Sequence, residues 1–169
     1  DLFVTGFNSP CHLYRNNANG AFTDVEGQVL LEDDGRWKAR GVVWADIDND
    51  GDLDLLVIRS GQPNLFYRND GARFVEAAAS MGLDLSADGR GAAAADFDGD
   101  GATDLYVTNQ DRPGRLLQNQ QAEGGWVAVQ LVGTRSTTDA IGTRVRLAAG
   151  GRTLLQEVSG GSSHLSQSG

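Results

Sequence analysis

One cysteine, Cys11, stands in a chain of 169 residues. That excludes an internal disulfide and leaves the redox compartment unreadable. It does not exclude export, because metal can hold a domain together where disulfides do not. Basic side chains are also scarce: 14 Lys and Arg face 23 Asp and Glu, giving a net charge of −9 and a pI near 4.5. This balance argues against a nucleic-acid partner, whose phosphates need a basic face. No apolar run approaches the length of a membrane span, so no membrane insertion is expected. The first ten residues, DLFVTGFNSP, lack the basic-then-apolar layout of a signal peptide. Hydrophobic residues at 40% and charged residues at 22% are globular rather than disordered composition. The length fits one domain or a few small repeats. Glycine is abundant, 23 of 169, about twice the usual share, which predicts many tight turns.

The acidity is concentrated in two segments, DIDNDGDLD (Asp46 to Asp54) and DFDGDGATD (Asp96 to Asp104). They hold nine carboxylates, Asp46, Asp48, Asp50, Asp52, Asp54, Asp96, Asp98, Asp100 and Asp104, the same number as the whole net charge. Like charges at this density repel and disfavour a compact loop unless something positive sits among them or the loop stays solvated. A divalent cation in each would take the net charge from −9 to −5.

The same segments anchor an internal repeat. Asp1-Leu2-Phe3-Val4, Asp54-Leu55-Leu56-Val57 and Asp104-Leu105-Tyr106-Val107 are one tetrad, spaced by 53 and then 50 residues. Tyr14-Arg15-Asn16 returns in step as Tyr67-Arg68-Asn69 and more weakly as Leu117-Gln118-Asn119. A Gly shortly before a Phe recurs as GAF at 20–22 and GARF at 71–74. Three elements at one period describe a repeat unit of about 50 residues.

The second unit is complete. GVVWAD (41–46) reads as a strand, the Asp loop follows, and LDLLVIRS (53–60) is a second strand. Gly61-Gln62-Pro63 then reads as a turn, NLFYRN (64–69) as a third strand, Asp70-Gly71 as a hairpin turn and ARFVEA (72–77) as a fourth strand. Leu55-Leu56-Val57-Ile58 is apolar at consecutive positions, so that strand is covered on both faces, as stacked propeller blades require. The matching first strand of the next unit is GAAAAD (91–96), whose alanines would let blades converge near an axis. A helix over Ala92–Ala95 is the competing expectation on propensity. The first unit lacks its opening strand and most of its Asp loop, with Asp1 where the last loop ligand belongs. A closed propeller needs about four to eight blades, so the chain is expected to be a fragment of a longer protein, with strand edges open to self-association.

The pattern D-x-D-x-D-G-x-x-D places carboxylates at positions 1, 3, 5 and 9, with alternate side chains turned to one centre. Gly at position 6 allows the positive φ such a loop needs, and position 7 offers a backbone carbonyl. Hard oxygen ligands in a flexible loop suit calcium, whereas magnesium demands stricter octahedral geometry and no Cys or His stands near for zinc. The expected metal ligands are Asp46, Asp48, Asp50, the Asp52 carbonyl and Asp54 in the first loop. In the second they are Asp96, Asp98, Asp100, the Ala102 carbonyl and Asp104, giving two Ca2+ sites. An EF-hand is rejected: its twelfth position falls on Val57 and Val107 rather than Glu, and a strand rather than a helix follows. A solvated Asx-rich turn is the competing explanation for either loop alone.

Residues 1–120 resemble the FG-GAP/VCBS repeat family, the calcium-loop blades of integrin α-subunit propellers and many bacterial surface proteins. The resemblance rests on DIDNDGDLDLLV and DFDGDGATDLYV, supported by NLFYRNDGARF and HLYRNNANGAF. It implies a propeller fold with calcium in the loops. The Phe-Gly and Gly-Ala-Pro tags of the family name are missing, so an integrin-like ligand face does not carry over.

From Trp126 the pattern changes. WVAVQLVG (126–133) alternates as a half-buried strand, and TRVRLAA (143–149) and RTLLQEVS (152–159) are strands joined by Gly150-Gly151. Arg144 and Arg146 fall on one face, read as solvated. The stretch from Trp126 to Ser168, with Asp139-Ala140-Ile141-Gly142 and Leu165-Ser166-Gln167-Ser168, resembles the ASPIC/UnbV domain that follows such repeats in bacterial proteins and in cartilage acidic protein. Members continue with a further aromatic strand, so this domain is expected to be truncated.

The fold expectation is thus all-β: a partial β-propeller of four-stranded blades followed by a small β-domain. Its divisions are 1–40 (incomplete first blade), 41–90 (complete blade), 91–125 (third blade) and 126–169 (ASPIC/UnbV-like domain). An enzyme is not expected. The only histidines are His12 and His164, and Ser162-Ser163-His164 lacks the strained turn of a nucleophile elbow. Close acidic pairs could serve a glycosidase, but the metal loops account for them. The expectation is a non-catalytic, calcium-stabilised module for extracellular or cell-surface recognition of a protein or glycan. The alternatives are an accessory module of a secreted carbohydrate-active enzyme and a structural spacer.

Overall fold

The computed structural model of the chain describes residues 1–25, 27, 37–120, 127, 129–134, 138–158 and 167–168. Three short strands, β1 (Leu2–Val4), β2 (His12–Asn16) and β3 (Phe22–Asp24), form an antiparallel sheet in the order β1-β2-β3. Next come β4 (Ala39–Ala45), β5 (Asp54–Pro63), β6 (Leu65–Asn69) and β7 (Phe74–Glu76), an antiparallel meander that makes one four-stranded blade. The third unit contributes β8 (Ser86–Ala95), β9 (Asp104–Asn109) and β10 (Arg115–Leu117). The alanine run is therefore strand, not helix. Among the described residues no helix is long and apolar enough to cross a membrane.

The blades are joined through their longest strands. The first half of β5 belongs to its own blade, while Ser60, Gln62 and Pro63 pair with Asp88, Ala87 and Ser86 at the start of β8. Gly61-Gln62-Pro63, expected as a turn, is thus a continuation of the strand across a bulge. Gly61, at φ +67°, absorbs the register shift, and Pro63 sits at the strand end, where its missing N–H costs no ladder bond. The first two units meet in the same way through the bridge between Phe7 and Lys38. Backbone hydrogen bonds repeat with the sequence period: Ser60 N–H to the Lys38 carbonyl and Gln110 N–H to the Asp88 carbonyl, both 2.9 Å.

Alternation along β5 divides its side chains between two cores. Leu55 and Val57 pack with Phe3, Leu13 and Trp37 of the first unit side, whereas Leu56 and Ile58 join Phe66, Ala92, Ala94, Leu105 and Val107 toward the third blade. Small residues permit that close approach. A Cβ on Gly89 would lie 2.6 Å from Ile58 Cγ2 and 2.8 Å from the Arg59 carbonyl oxygen. The outer face of the third blade has no such cover among the described residues. Phe97 is 62% exposed where its repeat counterpart Ile47 is 4% exposed, and Tyr106 and Leu116 are likewise exposed where Leu56 and Phe66 are buried.

The C-terminal segment supplies a hairpin, β11 (Arg144–Ala149) with β12 (Arg152–Glu157), and β13 (Gln167–Ser168), which pairs parallel with Ala93 and Ala94 of β8. Arg144 is exposed and pairs across the hairpin with Glu157 at 2.8 Å. The strand expected over 126–133 does not form at Val127 or residues 129–133. Val127, Val129 and Val132 are exposed, so the alternation there finds no sheet to cover it among the described residues. Trp126, Ser162, Ser163 and His164 lie outside the described residues.

Candidate metal centre

Each Asp loop links the first two strands of its blade, β4 to β5 and β8 to β9. Both loops turn through left-handed backbone at the same two places, Asn49 (φ +58°) and Gly51 (φ +96°), then Gly99 (φ +79°) and Gly101 (φ +91°). Asn tolerates this conformation better than most side chains, and Gly adopts it without steric cost.

The first aspartate organises each turn. Asp46 accepts the N–H groups of Asp50 (3.1 Å) and Gly51 (3.0 Å). Asp96 accepts those of Gly99 (2.8 Å), Asp100 (3.2 Å) and Gly101 (3.0 Å). The N–H groups at position 7 donate to the carboxylates at position 5, Asp52 to Asp50 and Ala102 to Asp100, both at 2.9 Å. These bonds close the turns on which the carboxylates converge.

The convergence is real but differs between loops. Asp46, Asp48 and Asp50 each bring an oxygen within 4.8 Å of the others, and in the second loop Asp96, Asp98 and Asp104 do so. Asp54 and Asp100 stand outside their loop's trio. The Asp52 side chain is exposed, while Ala102 is fully buried.

Asp54 and Asp104, expected to be simple ligands, also act as braces. Asp54 is 1% exposed; its Oδ2 accepts Ile47 N–H at 2.9 Å and its Oδ1 accepts Asn69 N–H at 2.8 Å. Asp104 repeats this with Phe97 (3.0 Å) and Asn119 (2.7 Å). In the first unit Asp1 accepts Asn16 N–H at 2.9 Å. The asparagines were legible as a repeated motif but had no assigned task. Their side chains complete the brace: Asn69 Nδ2 donates to the Leu53 carbonyl, and Asn119 Nδ2 to the carbonyls of Thr103 and, across the blade interface, Ile47 at 2.8 Å. Asn49 Nδ2 reaches the Gly101 carbonyl, so the two loops touch.

The electrostatics are those of anions held without enough countercharge. Burial pushes the Asp54 carboxyl up to about 7, against the lowering effect of the Asn69 and Ile47 N–H groups. Burial, then the neighbouring Asp50 and Asp48 charges, raises Asp46; burial and Asp50 raise Asp48. Asp48 Oδ1 is buried and has no hydrogen-bond partner among the described residues. An orphaned carboxylate oxygen inside an all-oxygen cluster fits a hard divalent cation, which takes six to eight oxygen ligands. Leu154 of the C-terminal hairpin reaches the first loop: a Cβ on Gly51 would sit 2.8 Å from Leu154 Cδ2.

A family model described as FG-GAP-like repeat matches residues 1–57 and again 46–107, each match ending on a loop-distal Leu-x-Val strand. A second, described as ASPIC and UnbV, matches residues 133–169. Comparison with curated proteins returns no match.

Proposed function

The chain belongs to the FG-GAP-like repeat family and carries an ASPIC/UnbV domain, and on that premise we propose that both Asp loops bind calcium and that the blades serve recognition outside the cell. The observation that carries the metal reading is the buried, unpartnered Asp48 Oδ1 within the Asp46, Asp48, Asp50 trio. Bound calcium supplies the positive charge that this cluster lacks. The chain's own part is to hold the oxygens. Asp46 and Asp96 shape the turns, Asp48, Asp50 and Asp98 face the centre, and Asp104 reaches it while bracing β9 to the residues after β10. The ion then fastens the first strand of each blade to the second.

Loops of this kind fit an environment rich in calcium, since extracellular modules work at about 10⁻⁴–10⁻³ M. The module is non-catalytic: its clustered carboxylates are committed to backbone N–H groups and to charge sharing, tasks that hold a loop rather than move a proton. Its partner is a protein or a glycan. Screening the chain against glycan and protein arrays in calcium and in EDTA tests this. Calcium-dependent capture of one ligand class is expected; turnover of a glycan that survives loss of both loops contradicts it.

A further inference from the structure

The two loops differ in what stands beside their second aspartate, Asp48 or Asp98. The Tyr-Arg-Asn motif places Arg68 beside the first loop, and the repeat period places Gln118 beside the second. Arg68 Nε lies 3.9 Å from Asp48 Oδ2 and 2.9 Å from Asp70 Oδ1. Gln118 Nε2 donates to Asp98 Oδ2, the counterpart of Asp48, at 2.5 Å. Two residues further on, the acid Asp70 is replaced by Gln120. The first loop thus has a cation with two anionic seats, Asp70 the nearer and Asp48 the farther, and the second has a neutral amide with one.

We infer that Arg68 is the stand-in cation of the first loop, seated on Asp70 and within ion-pair reach of Asp48, whose charge it partly counters when no metal is bound. The first loop is therefore the weaker and later-filled of the two calcium sites. This rests on the calcium reading above. The cause is charge. A guanidinium beside a ligand carboxylate repels an arriving divalent ion and draws on the charge of the same carboxylate, whereas the Gln118 amide contributes a hydrogen bond without net charge. Asp70 offsets part of the repulsion by holding Arg68 at the longer distance from Asp48.

The test isolates each loop. In an Asp98→Asn chain, calorimetric titration with calcium reads the first loop alone. Adding Arg68→Gln is expected to tighten that constant about tenfold at low salt, with the gain shrinking as ionic strength rises. The same substitution is expected to lower the melting temperature in EDTA, where Asp48 loses its countercharge. Adding Asp70→Asn instead is expected to weaken calcium binding, because Arg68 loses its second seat. Gln118→Arg in an Asp48→Asn chain is expected to weaken the second loop. A wild-type chain that binds two calcium ions with equal constants, unmoved by Arg68→Gln, overturns the inference and leaves the calcium reading standing. A wild-type chain that binds none overturns both.

Discussion

Asp54 and Asn69 are locked across the second blade, the carboxylate Oδ1 accepting the asparagine backbone N–H at 2.8 Å while Oδ2 takes Ile47 N–H. One buried side chain thereby ties the start of the Asp loop, the start of β5 and the end of β6. Asp104 and Asn119 do the same in the third blade. The last aspartate of each loop is a structural brace before it is anything else.

That role separates from metal binding in EDTA. Asp104→Ala strands the Phe97 and Asn119 N–H groups and is expected to cost about 2–4 kcal/mol of unfolding free energy without calcium. Asp98→Ala, at an exposed position, is expected to cost less than about 0.5 kcal/mol there. Urea unfolding of the metal-free variants measures both.

Stability without calcium is expected to fall as pH rises. The Asp54 carboxyl titrates at about 7 in the folded chain against a usual 3.8, so the folded state binds the proton more tightly than the unfolded one. Its contribution is fully present below about pH 3.8 and is lost as pH climbs through about 7. Calcium favours the charged carboxylates of the loop, so its affinity is expected to rise over the same interval. Melts from pH 5 to 8 in EDTA and in calcium read the two trends.

Blade stacking makes a third contrast. Ile47 is buried between the second and third blades, and its counterpart Phe97 is exposed. Ile47→Ala is expected to cost about 2–4 kcal/mol, and Phe97→Ala less than about 1 kcal/mol despite removing the larger side chain. Equal losses in urea unfolding would contradict the observed packing.

Much of this was legible because the determinants are chemically loud. Alternating aspartates recur at a fixed period, and a four-residue apolar run needs cover on both faces, as Leu55 to Ile58 have. The rest depends on partners distant in sequence. Gly61-Gln62-Pro63 has turn residues, and only pairing with Ser86 to Asp88 makes it strand. Asn69 and Asn119 act largely through backbone N–H groups, which no side-chain pattern reveals. The loops looked equivalent, yet Asp50 completes one trio and Asp104 the other. Residues 126–133 carry the alternation of a strand, but among the described residues no sheet receives Val127 or Val129.

Calcium is expected to raise the melting temperature. At ten times Kd each occupied site adds about 1.4 kcal/mol, or about 3–5 °C for a chain of this size. Asp48→Ala and Asp98→Ala should each remove part of the rise, and Asp84→Ala, outside both loops, should remove none. Differential scanning calorimetry over a calcium series measures the increments.

Anomalous diffraction from calcium-soaked crystals locates the ion itself. Two peaks are predicted, one among Asp46, Asp48 and Asp50 and one among Asp96, Asp98 and Asp104, each about 2.3–2.6 Å from the carboxylate oxygens. Crystals soaked in millimolar calcium that show neither peak, with those oxygens turned to water, would contradict the assignment.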